Sequence, residues 1–300
     1  MNIITDLFGS LASYTPWFTL SVVMAIFVMS LLPIMGKLLG NISLKEELAH
    51  KDNFAAGYSV AGALFALGAI VAGASAGDFG SSMVHEVTLM LSYALTGLIL
   101  LLGSRFIFDK LSLTKINIHD EIIKENSAAG IADMGNTIAS ALILFNVMTW
   151  ADSTQYVDIT WVVVAWVISQ AILFIATVYR NIIQSKFGGK ICIQKQIEAG
   201  NSAVAIRFAG YRISIALAMM ATTSLIGFDF EHIASTFILW AILGLGFAVL
   251  TTIVGVILRK TILRGIDVWD EVENQGNCGI AAIQSALYIV SSLIIIGINL

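Results

Sequence analysis

Three ionisable side chains, Asp133, Arg207 and Arg212, fall inside long apolar stretches of this sequence, within "NSAAGIADMG" (126–135) and "NSAVAIRFAGYR" (201–212). Charged groups in lipid are costly, so they face the interior of a helix bundle, where they pair with one another or line a polar path. Two chemistries are open: a fixed ion pair that docks two parts of the protein, or a polar path or ligand site; Asn136 and Gln284, two amides also within apolar stretches, can add hydrogen bonds in either case. Arg207 can alternatively extend its guanidinium to the nearer membrane surface.

The elements that must position these groups follow from composition. Of 300 residues, 58% are hydrophobic and 12% charged, and only two are proline. The mean hydropathy is +0.88, whereas a soluble domain carries about 25% charged residues. Apolar runs of about 20 residues, enough to cross the hydrocarbon, occur at 17–36, 54–74, 84–104, 127–149, 157–179, 202–226, 233–258 and 278–299. This predicts an all-α integral membrane protein with eight transmembrane helices. The N-terminus lacks the basic region of a cleaved signal, so the first run is expected to stay in the mature protein.

Basic residues set the orientation, because short Lys/Arg-rich loops stay cytoplasmic. Of the 16 Lys and Arg, 14 fall in the connections after the first, third, fifth and seventh spans, and the other two are Arg207 and Arg212. The opposite side holds Asp6, Asp78, Glu86, Asp152, Asp158, Asp229 and Glu231 with no base. Both termini are therefore expected outside. An acidic outer face would concentrate cations at a pore mouth, although acids are also what outer loops ordinarily tolerate.

The inner connections repeat one phrase: Ile42-x-Leu44-x-x-Glu47-Leu48, Ile116-x-Ile118-x-x-Glu121-Ile122, Ile191-x-Ile193-x-x-Gln196-Ile197 and Ile266-x-Val268-x-x-Glu271-Val272, spaced by 74, 75 and 75 residues. Such self-similarity marks a repeat architecture, here four two-helix hairpins. Shortly after each phrase comes an asparagine: Asn53, Asn126, Asn201 and Asn277. Asparagine is a preferred helix N-cap. The alternative reading is that the four amides and helix N-termini converge on an inner vestibule that binds an anionic group. The alternating aliphatics predict a short extended or amphipathic segment at the inner surface.

Small residues follow each Asn: Ala55, Ala128, Ala203 and Gly279 at the second position, and Gly62, Gly135, Gly210 and Ala286 at the ninth. They let helix backbones approach closely, which is how helices associate in lipid. Counted from these asparagines, Asp133 lies about 10 Å deep, Arg207 about 9 Å and Arg212 about 16 Å. The positions equivalent to Asp133 are Val60, Phe208 and Gln284, and those equivalent to Arg212 are Leu64, Thr137 and Tyr288. The charges are thus additions to the repeat, the acid in the first half and the bases in the second. An inter-half ion pair, Asp133 with Arg207 or Arg212, is the expectation.

Paired hairpins with a Glu-aliphatic step and Asn-x-Ala-Ala-Gly running into a small-residue helix resemble the YjfL-like bacterial inner-membrane proteins, the domain-of-unknown-function 350 family. A typical family domain has four spans, so the chain resembles two copies in tandem, 1–152 and 153–300. The fourth copy, "NCGIAAIQSA", departs from the pattern in lacking the later Gly. The resemblance implies a bacterial inner-membrane location and a link to envelope stress, with a phage-shock-A-like peripheral protein as a cytoplasmic partner. It supplies no catalytic residue.

No phosphate-binding glycine loop, nucleophile elbow, CxxC or HExxH is present, which argues against an ATP-driven pump or membrane hydrolase. No cofactor, no resident metal and no nucleic-acid partner are expected. A metal site built from His85–Glu86 or Glu231–His232 with Asp78 or Asp229 is the weaker alternative. Cys192 and Cys278 read as free thiols on the reducing side. Two functions stand. One is a channel or secondary transporter for small ions or cationic solutes such as polyamines. The other is a scaffold that docks a cytoplasmic partner on the four phrases. A homo-oligomer fits either. Transport is the first choice, although the repeats share one orientation whereas many transporters use inverted repeats.

Overall fold

A computed structural model describes residues 2–33, 43–76, 82–151, 155–187 and 192–299, and side chains within 15–33, 43–76, 82–151, 155–183 and 192–298. The end of the first predicted span (34–36), Lys37, Ile42, Asp78, Asp152, Lys190, Ile191, and the side chains of Asp6 and Lys186 lie outside the described residues.

The described chain is helical throughout. Its elements are α1 (Asn2–Ser30), α2 (Glu46–His50, a π-helical turn), α3 (Phe54–Ala74), α4 (Met83–Ile107, continued by a π-helical turn over Phe108–Ser112), α5 (Ile118–Ile123), α6 (Ser127–Trp150), α7 (Asp158–Phe187), α8 (Ile193–Glu198), α9 (Ser202–Thr223), α10 (Ile233–Ile262), α11 (Val268–Glu273) and α12 (Cys278–Asn299). Seven helices, α3, α4, α6, α7, α9, α10 and α12, are long and apolar enough to cross a membrane. The first predicted run falls on α1, which starts well before residue 17 and contains Pro16; its apolar portion covers Thr15–Ser30.

α3, α6, α9 and α12 pack side by side in that order. The centre of this row is the interior of the protein: 78% and 83% of the apolar windows of α6 and α9 are buried, against 22–44% for the other spanning helices. α4, α7 and α10 pack across the row, each touching two of its members. Because lipid is as apolar as the helices, close backbone contact must hold the row together. The small residues supply it. Gly130 faces the backbone of Ala55, Gly62 that of Met134, Gly135 faces Ala209, and Gly210 faces Ser285. The ninth residue after each Asn therefore meets the eighth residue after the next one, in all three seams.

The short helices α2, α5, α8 and α11 immediately precede the row helices. The phrase aliphatics within α5, α8 and α11 are not laid out in lipid, whereas Leu48 of α2 is exposed. Ile118, Ile122, Ile193, Ile197, Val268 and Val272 are buried in a second core cluster shared with Ala55, Ala128 and Ala203. α5, α8 and α11 are thus each clamped between two row helices, whereas α2 packs on α3.

Candidate functional site

Each short helix joins its row helix through the same junction, and the asparagine is its centre. Asn53, Asn126, Asn201 and Asn277 each cap a row helix: the side-chain Oδ1 accepts from Ala56, Ala128, Val204 and Ile280 N–H, at 3.0, 3.1, 3.1 and 3.2 Å. The residue before each cap has a left-handed backbone, φ 52° at Asp52, 64° at Glu125, 82° at Gly200 and 66° at Gly276. That conformation ends the short helix and lets the asparagine N–H return to the carbonyl of Glu47, Glu121, Gln196 or Glu271. In the sequence, Gly200 and Gly276 signalled this turn, but Asp52 and Glu125 concealed its repetition.

The acidic or amide residue of the phrase is the other half of the junction. The Asn Nδ2 donates to Glu47, Glu121 and Glu271 Oε2 and to Gln196 Oε1, at 2.9, 3.0, 2.8 and 3.1 Å. In the first three junctions its second hydrogen reaches the next one. Asn53 donates to Ile122 O (2.8 Å), Asn126 to Ile197 O (2.9 Å) and Glu198 O (3.2 Å), and Asn201 to Val272 O and Glu273 O (both 3.2 Å). The amides of Asn53, Asn126 and Asn201 therefore link neighbouring junctions along one row, and each is occupied by capping and linking, with no ligand required.

The intramembrane charges lie elsewhere than the sequence suggested. Asp133 pairs with neither Arg207 nor Arg212. It accepts from Arg105 Nη2 at 2.9 Å and from the Ser59 hydroxyl. Its helix face explains this: Asp133 is three residues from Gly130, which packs on α3, so it turns toward α3 and α4 and away from α9. Arg207 does not extend to the surface. It is buried, ion-paired with Glu273 at 3.0 Å, and its Cζ lies 4.9 Å from the Trp269 ring. Arg105 and Glu273 were missed because both fall outside the apolar runs, in what read as inner connections.

Arg212 is 3% exposed. Nη1 donates to Thr177 Oγ1 at 2.6 Å and Nη2 to Asn136 Oδ1 at 2.7 Å. The guanidinium carbon lies 5.0 Å from the Phe108 ring and 5.8 Å from that of Phe208. Among the described residues no carboxylate is within ion-pair distance. Arg212 Nε and Asn136 Nδ2 have no hydrogen-bond partner, nor do Thr137 Oγ1 and Ser140 Oγ on the same helix. Arg180, read from sequence as a loop residue, is also buried. It lies over the Tyr211 and Tyr288 rings at 4.9 and 5.3 Å and donates to the Tyr288 hydroxyl at 3.3 Å. Gln284 is buried on α12 and makes no hydrogen bond to Asp133 or to Arg212. The interior thus joins donors and positive charge on α6, α7 and α9. A cavity of about 240 Å³ at the junction end is lined by Arg259, Lys260 and Arg264, by Asp267, whose carboxylate caps α11, and by Trp269, the ring beside Arg207.

The model of a domain of unknown function, DUF350, matches residues 6–148, 82–223 and 153–298, so that the three stretches together cover nearly the whole chain. The chain belongs to the DUF350 family. No curated protein and no solved structure matched it. Two of the matched stretches fall in the two halves and the third straddles them. A family unit in this DUF350 protein is accordingly any two successive junctions with their helices.

His85 and His232 of this DUF350 protein are locally engaged. His85 packs edge-on against Tyr156, with ring centroids 5.7 Å apart, and His232 Nδ1 lies 3.1 Å from Asp229 Oδ2. Among the described residues no three His, Cys, Asp or Glu come together as metal ligands. Cys192 and Cys278 are free thiols.

The first two junctions carry a titration. Hydrogen bonds from Lys51 and Asn53 hold the Glu47 carboxyl below its ordinary value, and those from Asn126 and Lys124 do the same to Glu121. A depressed carboxylate stabilises the fold above its unfolded pKa of about 4.3 and loses that contribution as the pH falls through the folded value. The third junction, built on Gln196, does not titrate. Glu121→Gln should therefore flatten the acid limb of a melting-temperature profile below about pH 4.3. An unchanged acid limb would show that the junctions carry no pH-dependent stability.

Proposed function

We propose that this DUF350 protein is a bacterial inner-membrane channel or secondary transporter for a small ion, with its junction end in the cytoplasm, and that the ion bound at its centre is an anion. The observation that carries this reading is Arg212, a guanidinium in the middle of the bundle with no carboxylate counter-ion and an unfilled N–H.

Removing an ion from water costs several kcal/mol even after relaxation. Two charge-assisted hydrogen bonds to neutral acceptors return about 1.5–3 kcal/mol each, and ring contacts about 2 kcal/mol when desolvated. These offsets cover much of the cost and leave a positive site whose remaining donors, Arg212 Nε and Asn136 Nδ2, suit a small anion. Arg180 adds positive charge, and the basic cavity beside Trp269 gives anions a place of accumulation at the junction end. A cation or polyamine, the choice from composition and the acidic outer loops, would meet these guanidinium groups. The geometry therefore favours the opposite sign.

The test is flux through proteoliposomes of purified protein for Cl⁻, K⁺, Na⁺, H⁺ and a small polyamine. Anion flux that Arg212→Gln lowers by roughly tenfold, as the loss of one charge-assisted hydrogen bond implies, supports the reading, as would partial recovery in Arg212→Lys. Cation flux unaffected by Arg212→Gln would overturn the assignment of the ion. Silence from folded protein would favour the second reading, a scaffold that docks a peripheral partner. The continuous row of four linked junctions supports that second reading.

A further inference from the structure

The seams that join the row helices share one chemistry, and the two outer edges of the row carry the matching halves of it. On the downstream side of each seam-forming helix stand the ninth residue after the Asn and the Asn amide. On the upstream side of the next helix stand the eighth residue after its Asn and the carbonyls that follow the phrase Glu or Gln. The pairs are Gly62 with Met134, Gly135 with Ala209 and Gly210 with Ser285, together with the three inter-junction amide bonds.

α12 presents the downstream half, and none of the described residues is seated on it. Ala286, its ninth residue, is exposed, as is Gly279, its second. Asn277 Nδ2 donates to Glu271, and among the described residues no carbonyl receives its other hydrogen. α3 presents the upstream half. Ala61, its eighth residue, is exposed, Gly57, its fourth, has open space toward all but Leu48, and Leu48 and Ala49, which follow the phrase Glu, are exposed. Inside the row, Gly130, the fourth residue of α6, meets Ala55, the second of α3. The corresponding pair across two open edges is Gly57 with Gly279, a still smaller combination.

We infer that the protein associates with further copies of itself head to tail, α12 of one copy against α3 of the next, so that Asn277 reaches the Leu48 or Ala49 carbonyl of its neighbour. The contact continues the internal seams, and it needs no new recognition chemistry. Such an interface is heterologous and yields a ring if the rotation closes or a filament if it does not. It differs from the transport reading in observation and in test.

Cys278 directly follows the terminal cap, so a Cys192→Ser, Ala49→Cys variant in lipid vesicles places one thiol at each edge. A short thiol cross-linker should yield a ladder of covalent oligomers. Ser127→Cys with Glu198→Cys, the equivalent pair across an internal seam, should close within one chain under the same conditions and so certify the geometry. Ala286→Trp should abolish the ladder while the internal cross-link persists. Monomer alone with a closed internal control overturns the proposal. So does a dimer that forms without Ala49→Cys through Cys278 of both copies, because that is a tail-to-tail contact. A ladder insensitive to Ala286→Trp would equally exclude this face.

Discussion

Gly130→Ala should lower the melting temperature of the detergent-solubilised protein sharply, and Gly130→Val should prevent stable assembly of α3 with α6. A Cβ at position 130 would stand 2.3 Å from Ala55 O and 2.6 Å from its Cα. Both are backbone atoms of a capped helix, so no side chain can swing aside. Overpacking ordinarily costs about 1–3 kcal/mol, and backbone against backbone places alanine at the upper end of that range. Gly246 is the control. It lies in the spanning helix α10 with nothing within 4 Å of its added Cβ, so Gly246→Ala should be neutral or favourable by up to about 1 kcal/mol. Equal melting temperatures for Gly130→Ala and Gly246→Ala would mean that close approach does not hold the row together.

The second large effect is an asymmetry in the Asp133–Arg105 pair. The Asp133 side chain is 2% exposed and that of Arg105 is 32% exposed. Arg105→Gln strands a buried carboxylate, and breaking a buried pair in this way costs about 3–5 kcal/mol. Asp133→Asn leaves a guanidinium that already reaches the surface and keeps an acceptor for Ser59, so the cost falls to about 1–2 kcal/mol. The double variant should be more stable than Arg105→Gln alone. Thermal unfolding of the three variants decides the matter, and identical losses for the two single changes would contradict it.

What the sequence disclosed depended on range. Capping is a contact over three or four residues, so the four asparagines could be placed from their type and position alone. The small residues at the second and ninth positions were legible for the same reason, because a fixed helical period carries them to a common face. Partner choice was not legible. Asp133 and Asn136 are three residues apart, yet the first turns to α3 and α4 and the second to α9, where it accepts from Arg212. That division depends on how α6 is rotated between its neighbours, which no local pattern records. Arg105 and Arg180 escaped notice because a charge ends an apolar window, although α7 continues past its charge with the arginine buried.

The junction bonds also impose an order in time. Asn53, Asn126 and Asn201 each cap their own helix through neighbours two or three residues away, but the second hydrogen bond of each waits for a carbonyl 69 to 72 residues later in the chain. At a synthesis rate of about 5–20 residues per second that interval is roughly 4–14 s. During it the capped helix is already formed while its link is still open to water. Assembly of the row is therefore vectorial, each new pair of helices closing the bond left open by the pair before it.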